Sequence, residues 1–207
     1  MEISNRAGTQ GRARVKAQQA RSRETRARLI EAAHEIAEAG GLGALRAETV
    51  VARAGVSKGT FFAHFPDKDH LLAELLRERL VYRPGAGDLA ALLERLHPLL
   101  HATAAEPEAL PVVVRFSGET CTGPGLGNAI VTMVAHISAD IAVLQGQGHV
   151  RAGPEPAILG EATMALVFHA AGTTLCAVDA PGAREQNAIM LDAEQLLAAM
   201  VNALLAP

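Results

Sequence analysis

The sequence predicts an all-α fold of about nine helices, a small N-terminal three-helix module followed by a larger helical body. Hydrophobic residues make up 49% of the 207 residues and aromatic residues only 3%, and a composition rich in Ala and Leu favours helices over sheets. Apolar residues recur at helical spacing in one segment after another, and no segment alternates apolar and polar residues as a half-buried strand does.

The distribution of charge separates the first third of the chain from the rest. Residues 1–83 carry fifteen Lys and Arg against ten Asp and Glu, whereas residues 84–207 carry four against twelve. A basic end on an acidic body is typical of a protein that meets a polyanion through one end only. No uninterrupted apolar stretch reaches the length of a membrane span, and the Arg-rich N-terminus lacks the apolar core of a secretory signal. We therefore expect a soluble cytoplasmic protein with no membrane partner.

Residues 1–21 are polar and basic, with almost nothing to bury, so they are predicted to form a flexible arm. The first long helix is predicted over Ser22–Ala39, where Leu29, Ala33 and Ile36 recur at helical spacing. Gly40-Gly41 then ends it.

The segment from Leu45 to Leu72 is the most informative stretch of the chain. AETVVARA predicts a short helix that Gly55 ends, because glycine accepts the left-handed backbone of a turn. Ser57 can cap the next helix, KGTFFAHF, by accepting a backbone N–H bond. Phe61 and Phe65 are expected in the core. Two short helices joined by such a turn, with small polar and basic residues opening the second, suit the major groove of DNA.

The stretch AGVSKGTFFAHFPDKDHLL also resembles the N-terminal signature of the TetR family of transcriptional repressors, from about Thr25 to Leu76. The resemblance implies a homodimer that binds a palindromic operator in double-stranded DNA and is released by a small-molecule effector. It implies that the following residues lie at or near the DNA: Arg46, Thr49, Ser57, Lys58, Gly59, Thr60, Phe62, His64 and Lys68.

Two positions depart from the family pattern. Arg46 stands where a Thr commonly caps the second helix, and an arginine cannot cap but can reach a phosphate. Phe62 stands where a Tyr is usual, so one hydroxyl contact to phosphate is expected to be lost. The sequence leaves two roles open for Arg26, Arg28 and the arginines of the arm: phosphate contacts, or ordinary solvated side chains.

Arg83–Gly87 is predicted to mark a domain boundary because it combines Pro and Gly. The domains are thus 1–21 (arm), 22–83 (DNA-binding module with a linking helix begun by Asp67) and 84–207 (effector-binding and dimerisation body). The body is expected to hold five helices. The first is capped by Asp88 and kinked at Pro98. The other four are predicted from Glu106 to about Thr120 and over Asn128–Leu144, Pro154–Val178 and Ala183–Leu205. The resemblance implies that the last two form the homodimer interface.

An effector cavity in this body would be lined by apolar residues with scattered polar groups. The candidates, each of which also suits an ordinary core position, are Phe116, Cys121, Met133, His136, Ile137, Phe168, His169 and Thr173. The abundance of Leu, Val and Met suggests an apolar effector.

No catalytic, cofactor or metal site is predicted. No serine has a nucleophile-elbow context, and Gly123–Gly127 lacks the Lys-Ser/Thr of a phosphate loop. His97 and His101 share a helix face, but no acid completes a zinc motif, and solvated or pocket-lining histidines are the favoured interpretation. Cys121 and Cys176 are too far apart to indicate a disulfide framework. Two alternatives stay open: an effector-independent DNA-binding protein, or a helical small-molecule-binding protein with a vestigial helix-turn-helix.

Overall fold

The computed structural model describes residues 4–118, 125–175 and 183–207, and within these ranges the chain forms helices and no strands. It divides into two compact units, Met1–Leu71 and Leu72–Pro207. The first unit holds α1 (Ser4–Gly40), a 3-10 turn (Leu42–Ala44), α2 (Ala47–Ala54) and α3 (Lys58–His64); α4 (Lys68–Arg79) begins there and continues into the second unit. The predicted all-α fold is confirmed.

The second unit holds α5 (Leu89–Ala104), α6 (Ala109–Ser117), α7 (Leu126–Gly146), α8 (Pro156–Leu175) and α9 (Ala183–Leu205). The Asp88 carboxylate caps α5 by accepting the Ala91 N–H at 2.9 Å, as expected. Pro98 lies inside α5, which continues on both sides of it. The predicted residues Cys121 and Cys176, the loop positions 122–124 and the break at 180–182 lie outside the described residues.

The N-terminal segment differs from its prediction. The backbone is helical from Ser4 onward, whereas residues 1–21 were expected to be a flexible arm and the helix was expected to start at Ser22. The segment Ala17–Arg21 contains no helix breaker, and Ala, Gln and Arg are good helix formers, so the helix propagates from the packed part of α1 towards its N-terminus.

The core of the first unit contains the apolar residues that the sequence predicted to be buried. Phe61 and Phe65 are fully buried and their ring centroids lie 5.8 Å apart. Leu29 of α1, Leu42 of the 3-10 turn and Val50 of α2 are also completely buried. The long helix α1 and three short helical segments thereby share one small hydrophobic core.

The boundary between the units falls inside α4 and not at the Pro/Gly segment. Leu72, Leu75, Leu76 and Leu80 are buried residues of the second unit. The segment 83–87 is fastened to that unit, because the Gly85 N–H donates to the Asp140 carboxylate at 3.2 Å. Proline and glycine therefore mark a strap on the second unit's surface and do not mark the division predicted after Arg83.

A buried polar cluster joins this strap to α5 and α7. The Tyr82 hydroxyl donates to the Asp140 carboxylate at 2.6 Å, and the Arg95 guanidinium lies 3.3 Å from the same oxygen. Burial raises the pKa of the Tyr82 phenol well above its ordinary value, and the Asp140 carboxylate acts in the same direction. Arg95 also donates to the Ala86 carbonyl at 3.2 Å. The Asp140 carboxylate of α7 thus gathers donors from two other segments, residues 82–85 and α5.

Helices α7 and α8 approach closely at Gly160. A Cβ placed on Gly160 would overlap the Ser138 hydroxyl and come within 3.1 Å of the Ser138 backbone nitrogen. Only a residue without a side chain fits this crossing without displacing α7.

We expect Gly160→Ala to lower the free energy of unfolding by about 1–2 kcal/mol, because the overlap outweighs the better helix propensity of alanine. Urea titration measures the change. Gly146→Ala is the control, since nothing lies within 4 Å of a Cβ there. Equal stability of the two variants would show that α7 yields at no cost.

In the part of the chain that the structure describes, two helices are long and apolar enough to cross a membrane by length and composition, which alone is weak evidence. They are Leu126–Gly146 and Ala188–Leu205, both with a mean hydropathy of 1.5. The first is a core helix with nine buried residues. The second, within α9, has only 22% of its residues buried inside the chain, so it carries apolar surface that this chain alone does not cover.

Candidate nucleic-acid interface

The turn between α2 and α3 has the geometry expected of a helix-turn-helix. Gly55 ends α2 in the left-handed conformation, with φ 63° and ψ 41°, which favours glycine. Ser57 then caps α3: its hydroxyl oxygen accepts the Thr60 N–H at 3.1 Å and lies 2.8 Å from the Thr60 hydroxyl. The two helices are therefore joined by only three residues, Gly55–Ser57.

Two arginines of α1 contact the helix-turn-helix. The Arg28 guanidinium donates to the Ala54 carbonyl at the end of α2, where the last turn of a helix leaves carbonyls without partners. The Arg26 guanidinium lies 4.9 Å from the centre of the buried Phe65 ring, within range of a cation–π contact. In this structure both arginines make contacts that stabilise the module. Neither of the two roles left open by the sequence, a phosphate contact or an ordinary solvated side chain, describes them fully.

The nine side chains predicted to contact DNA are all accessible. Thr60, His64 and Lys68 are half-buried, and the others are exposed: Arg46, Thr49, Ser57, Lys58, Gly59 and Phe62. They come from α2, α3 and the first residue of α4, with the buried Phe61 and Phe65 behind them. A slim, accessible helix backed by a rigid core can approach base edges.

The structure shows where the two residues that depart from the family pattern lie. Arg46 occupies the N-cap position of α2 and makes no capping hydrogen bond. Phe62 is 46% exposed and packs edge-on against Phe61, with ring centroids 5.3 Å apart. An exposed phenyl ring offers apolar contact, such as with a thymine methyl group, but no hydrogen bond.

The start of α3 is joined to the start of α2 by an ion pair that the sequence analysis missed. The Lys58 ammonium donates to the Glu48 carboxylate at 2.7 Å, and the two side chains are 59% and 69% exposed. This hydrogen bond lowers the pKa of Glu48 below its ordinary value. No periodicity connects residues ten apart across a turn, so only the packing of the two helices reveals the pair.

The predicted effector residues differ in their burial. Phe116, Met133 and Ile137 are buried, whereas His136, His169 and Thr173 are exposed, and Cys121 lies outside the described residues. The reason is helical phase: His136 and His169 each precede a buried residue by one position and so point about 100° away from it. Phe168 lines a cleft of about 140 Å³ together with Ile130, Val134 and Met164.

A larger cavity in the second unit has a different character. Its volume is about 410 Å³, and it lies beside the end of α4 and the first half of α5. Three guanidinium groups line it, together with a carboxylate and two apolar side chains: Arg79, Arg83, Arg95, Glu94, Val81 and Pro98. The composition of the chain gave no indication of this site.

His97 and His101 do share a face of α5, and their rings stack with centroids 6.3 Å apart. His101 Nε2 lies 2.5 Å from the Glu194 carboxylate of α9. Among the described residues, no group of three or more His, Cys, Asp or Glu is placed to hold a metal ion.

The comparisons with known proteins point to one family. The family model of the tetR bacterial regulatory proteins matches residues 29–75, which cover the buried core of the first unit and its helix-turn-helix. The HTH-type transcriptional repressor KstR of Mycolicibacterium smegmatis is 39% identical over 70 residues, 34% of either chain. The match thus spans about a third of that curated relative. Residues 29–75 of this chain are thus similar to the tetR family of bacterial regulatory proteins.

Solved structures extend the likeness to the fold of the whole chain. A protein assigned to the TetR-family regulators from Rhodococcus sp. is 21% identical, with a TM-score of 0.52 over 89% of this chain and 100% of that one. Native NalD, the secondary repressor of the MexAB-OprM multidrug efflux pump in Pseudomonas aeruginosa, is 20% identical, with a TM-score of 0.50 over 89% and 97%. At these identities the likeness concerns the fold alone.

Proposed function

We propose that this chain is a TetR-family repressor that binds a palindromic operator as a homodimer and is released by a small-molecule effector. The observation that carries the DNA-binding part is the Gly55 turn with the Ser57-capped α3, which exposes Lys58, Gly59 and Phe62 over a rigid aromatic core. Phosphate neutralisation by Lys58 and Lys68 supplies affinity, and Thr60 and His64 supply base contacts. The basic N-terminal segment adds phosphate contacts.

Selection of duplexes from a random DNA pool, at two salt concentrations, tests this proposal directly. A two-fold dimer presents its recognition helices about 34 Å apart, so we expect a palindrome with half-sites one helical turn apart. Recovery of no motif, with binding that vanishes at moderate salt, would instead favour a vestigial helix-turn-helix on a small-molecule-binding protein.

We expect Lys58→Met to weaken DNA binding by up to about eightfold at 0.1 M salt, because one phosphate contact changes the salt slope by about 0.9. Fluorescence anisotropy between about 50 and 200 mM salt measures both quantities. Arg151→Gln is the matched control, as it removes an exposed cation from the second unit. An unchanged slope in Lys58→Met would remove Lys58 from the interface.

The homodimer is supported by the apolar surface of α8 and α9. Ile158 and Leu191 are exposed, and the apolar stretch Ala188–Leu205 is mostly uncovered. Monomeric soluble proteins rarely expose contiguous apolar patches of large area. Sedimentation at micromolar concentration is expected to give twice the chain mass of 21.6 kDa; a monomer there would contradict the proposal.

The effector site is supported best by the 410 Å³ cavity, whose volume lies in the range of small-ligand pockets, unlike the 140 Å³ apolar cleft. Of its three guanidinium groups, Arg79 pairs with Glu106 at 3.0 Å and Arg95 with Asp140 at 3.3 Å. Arg83 therefore carries the preference for a ligand with an acidic group on an apolar body, which is a narrower class than the apolar effector expected from composition. A carboxylate amphiphile such as decanoate should raise the melting temperature more than decanol does. If neither shifts it, an effector-independent DNA-binding protein becomes the better account.

The chain's place of action is proposed to be the cytoplasm, where bacterial operator DNA is found. No catalytic activity and no cofactor are proposed, because DNA binding and release need neither.

A further inference from the structure

The ion pair between Glu48 and Lys58 lies among the residues that the proposed function places on DNA. Glu48 lies between Arg46 and Thr49, and Lys58 opens α3. The pair holds no buried charge, since both side chains are more than half exposed. It therefore presents an anion beside a cation to any DNA that approaches α3, and the two charges nearly cancel at a distance.

An exposed carboxylate is unfavourable beside a phosphate backbone, so its presence here needs a reason. One candidate reason is local: Glu48 lies in the first turn of α2, where a negative charge stabilises the helix, and Arg46 supplies no cap. A second is that the carboxylate competes with phosphate for the lysine. The two reasons predict opposite effects of neutralising Glu48 on DNA affinity.

We propose that Glu48 is a selectivity-setting residue that holds Lys58 until a well-placed phosphate displaces it. This inference rests on the proposed DNA-binding function. Lys58 must exchange one anion for another, so it contributes only where the DNA backbone fits the module closely. On unrelated DNA, where binding is almost entirely electrostatic, the lysine stays with Glu48 and the protein binds less tightly.

The geometry of the pair supports the exchange. The 2.7 Å contact is a charge-assisted hydrogen bond, but its exposure keeps it weak enough to break, because exposed ion pairs are screened by water and salt. The Glu48 carboxylate is charged at neutral pH, as a glutamate of ordinary pKa is, and the hydrogen bond from Lys58 lowers its pKa further. Glu48 is thus available as a competitor under all conditions in which the protein would meet DNA.

Glu48→Gln tests this proposal, and Glu35→Gln is the control. Glu35 accepts from Arg53 at 2.6 Å in a similarly exposed pair of the same unit, but neither residue is among those proposed to touch DNA. The probes are the duplex recovered by selection and a scrambled duplex of the same length and composition. Anisotropy titrations between about 50 and 200 mM salt give the affinity and the salt slope for each.

For Glu48→Gln we expect about two- to fivefold tighter binding to the scrambled duplex, a slope steeper by about 0.9, and a smaller gain on the selected duplex. The ratio of the two affinities should therefore fall. Glu35→Gln should match the unsubstituted protein. In the Lys58→Met background, Glu48→Gln should have no effect, because there is no lysine left to release.

Three results would overturn the inference. The first is weaker DNA binding by Glu48→Gln, which a purely helix-stabilising role predicts, and the second is binding equal to that of Glu35→Gln. The third is an equal gain in the Lys58→Met background, which would indicate direct repulsion between Glu48 and phosphate. Failure of the proposed function is distinguishable, because the unsubstituted protein would then show no salt-dependent binding to either duplex.

Discussion

Phe61→Ala is expected to unfold the first unit. Phe61 is 1% exposed and contacts the rings of both Phe62 and Phe65, so truncation leaves a cavity at the centre of a small core. Substitutions of this kind cost about 3–5 kcal/mol, and a domain of this size has only about 5–15 kcal/mol to lose. DNA affinity should fall with the folded fraction of this unit. Hydrogen exchange over residues 45–65 measures the opening, while the second unit keeps its protection.

The neighbouring phenylalanine provides the control for that experiment. Phe62 is on the same helix but is nearly half exposed, so Phe62→Ala should cost about 1 kcal/mol or less in stability. Equal destabilisation by the two substitutions would show that Phe61 is not the centre of the core. Loss of protection in α7 or α8 by Phe61→Ala would show that the two units unfold together.

Asp140→Asn is expected to destabilise the second unit by about 2–4 kcal/mol. The substitution keeps an oxygen for the Tyr82 hydroxyl and the Gly85 N–H, but it removes the charge that faces the Arg95 guanidinium. A largely buried cation without its anion is costly, because it loses its hydration and gains no compensating charge. Urea unfolding followed by circular dichroism gives the change, and the strap at residues 83–87 should exchange its amide hydrogens faster.

Glu155→Gln controls for the loss of one negative charge, since Glu155 is exposed just before α8 begins, and its effect should stay within about 1 kcal/mol. A small effect of Asp140→Asn would mean that Arg95 finds water or the Ala86 carbonyl an adequate substitute. In that case the cluster would contribute little to holding the strap.

The sequence was sufficient to predict the elements whose signals are local. Gly55, Ser57 and Asp88 were placed correctly because a turn or a cap is decided within four residues of chain. The last helix, Ala183–Leu205, was bounded exactly. Phe61 and Phe65 were assigned to the core because helical spacing relates them directly.

The features that the sequence did not predict depend on packing between distant segments. Arg28 reaches a carbonyl 26 residues away, and Asp140 gathers partners more than 40 residues away. The exposure of His136 and His169 was missed because long apolar helices such as α7 and α8 have no single hydrophobic face. Without a clear stripe, the sequence gives no helical phase, and polar residues cannot be assigned to an inner or outer surface.

The passage of α4 through the boundary at residues 71 and 72 limits how the protein can be divided. A fragment cut after Arg83, where the composition suggests a linker, would carry Leu72, Leu75, Leu76 and Leu80 without the unit that buries them. Such a fragment should self-associate and be poorly soluble, because exposed apolar patches promote association. The first unit therefore cannot simply be transferred to another protein. A chimera that joins it to a different sensor must include a domain that covers these leucines.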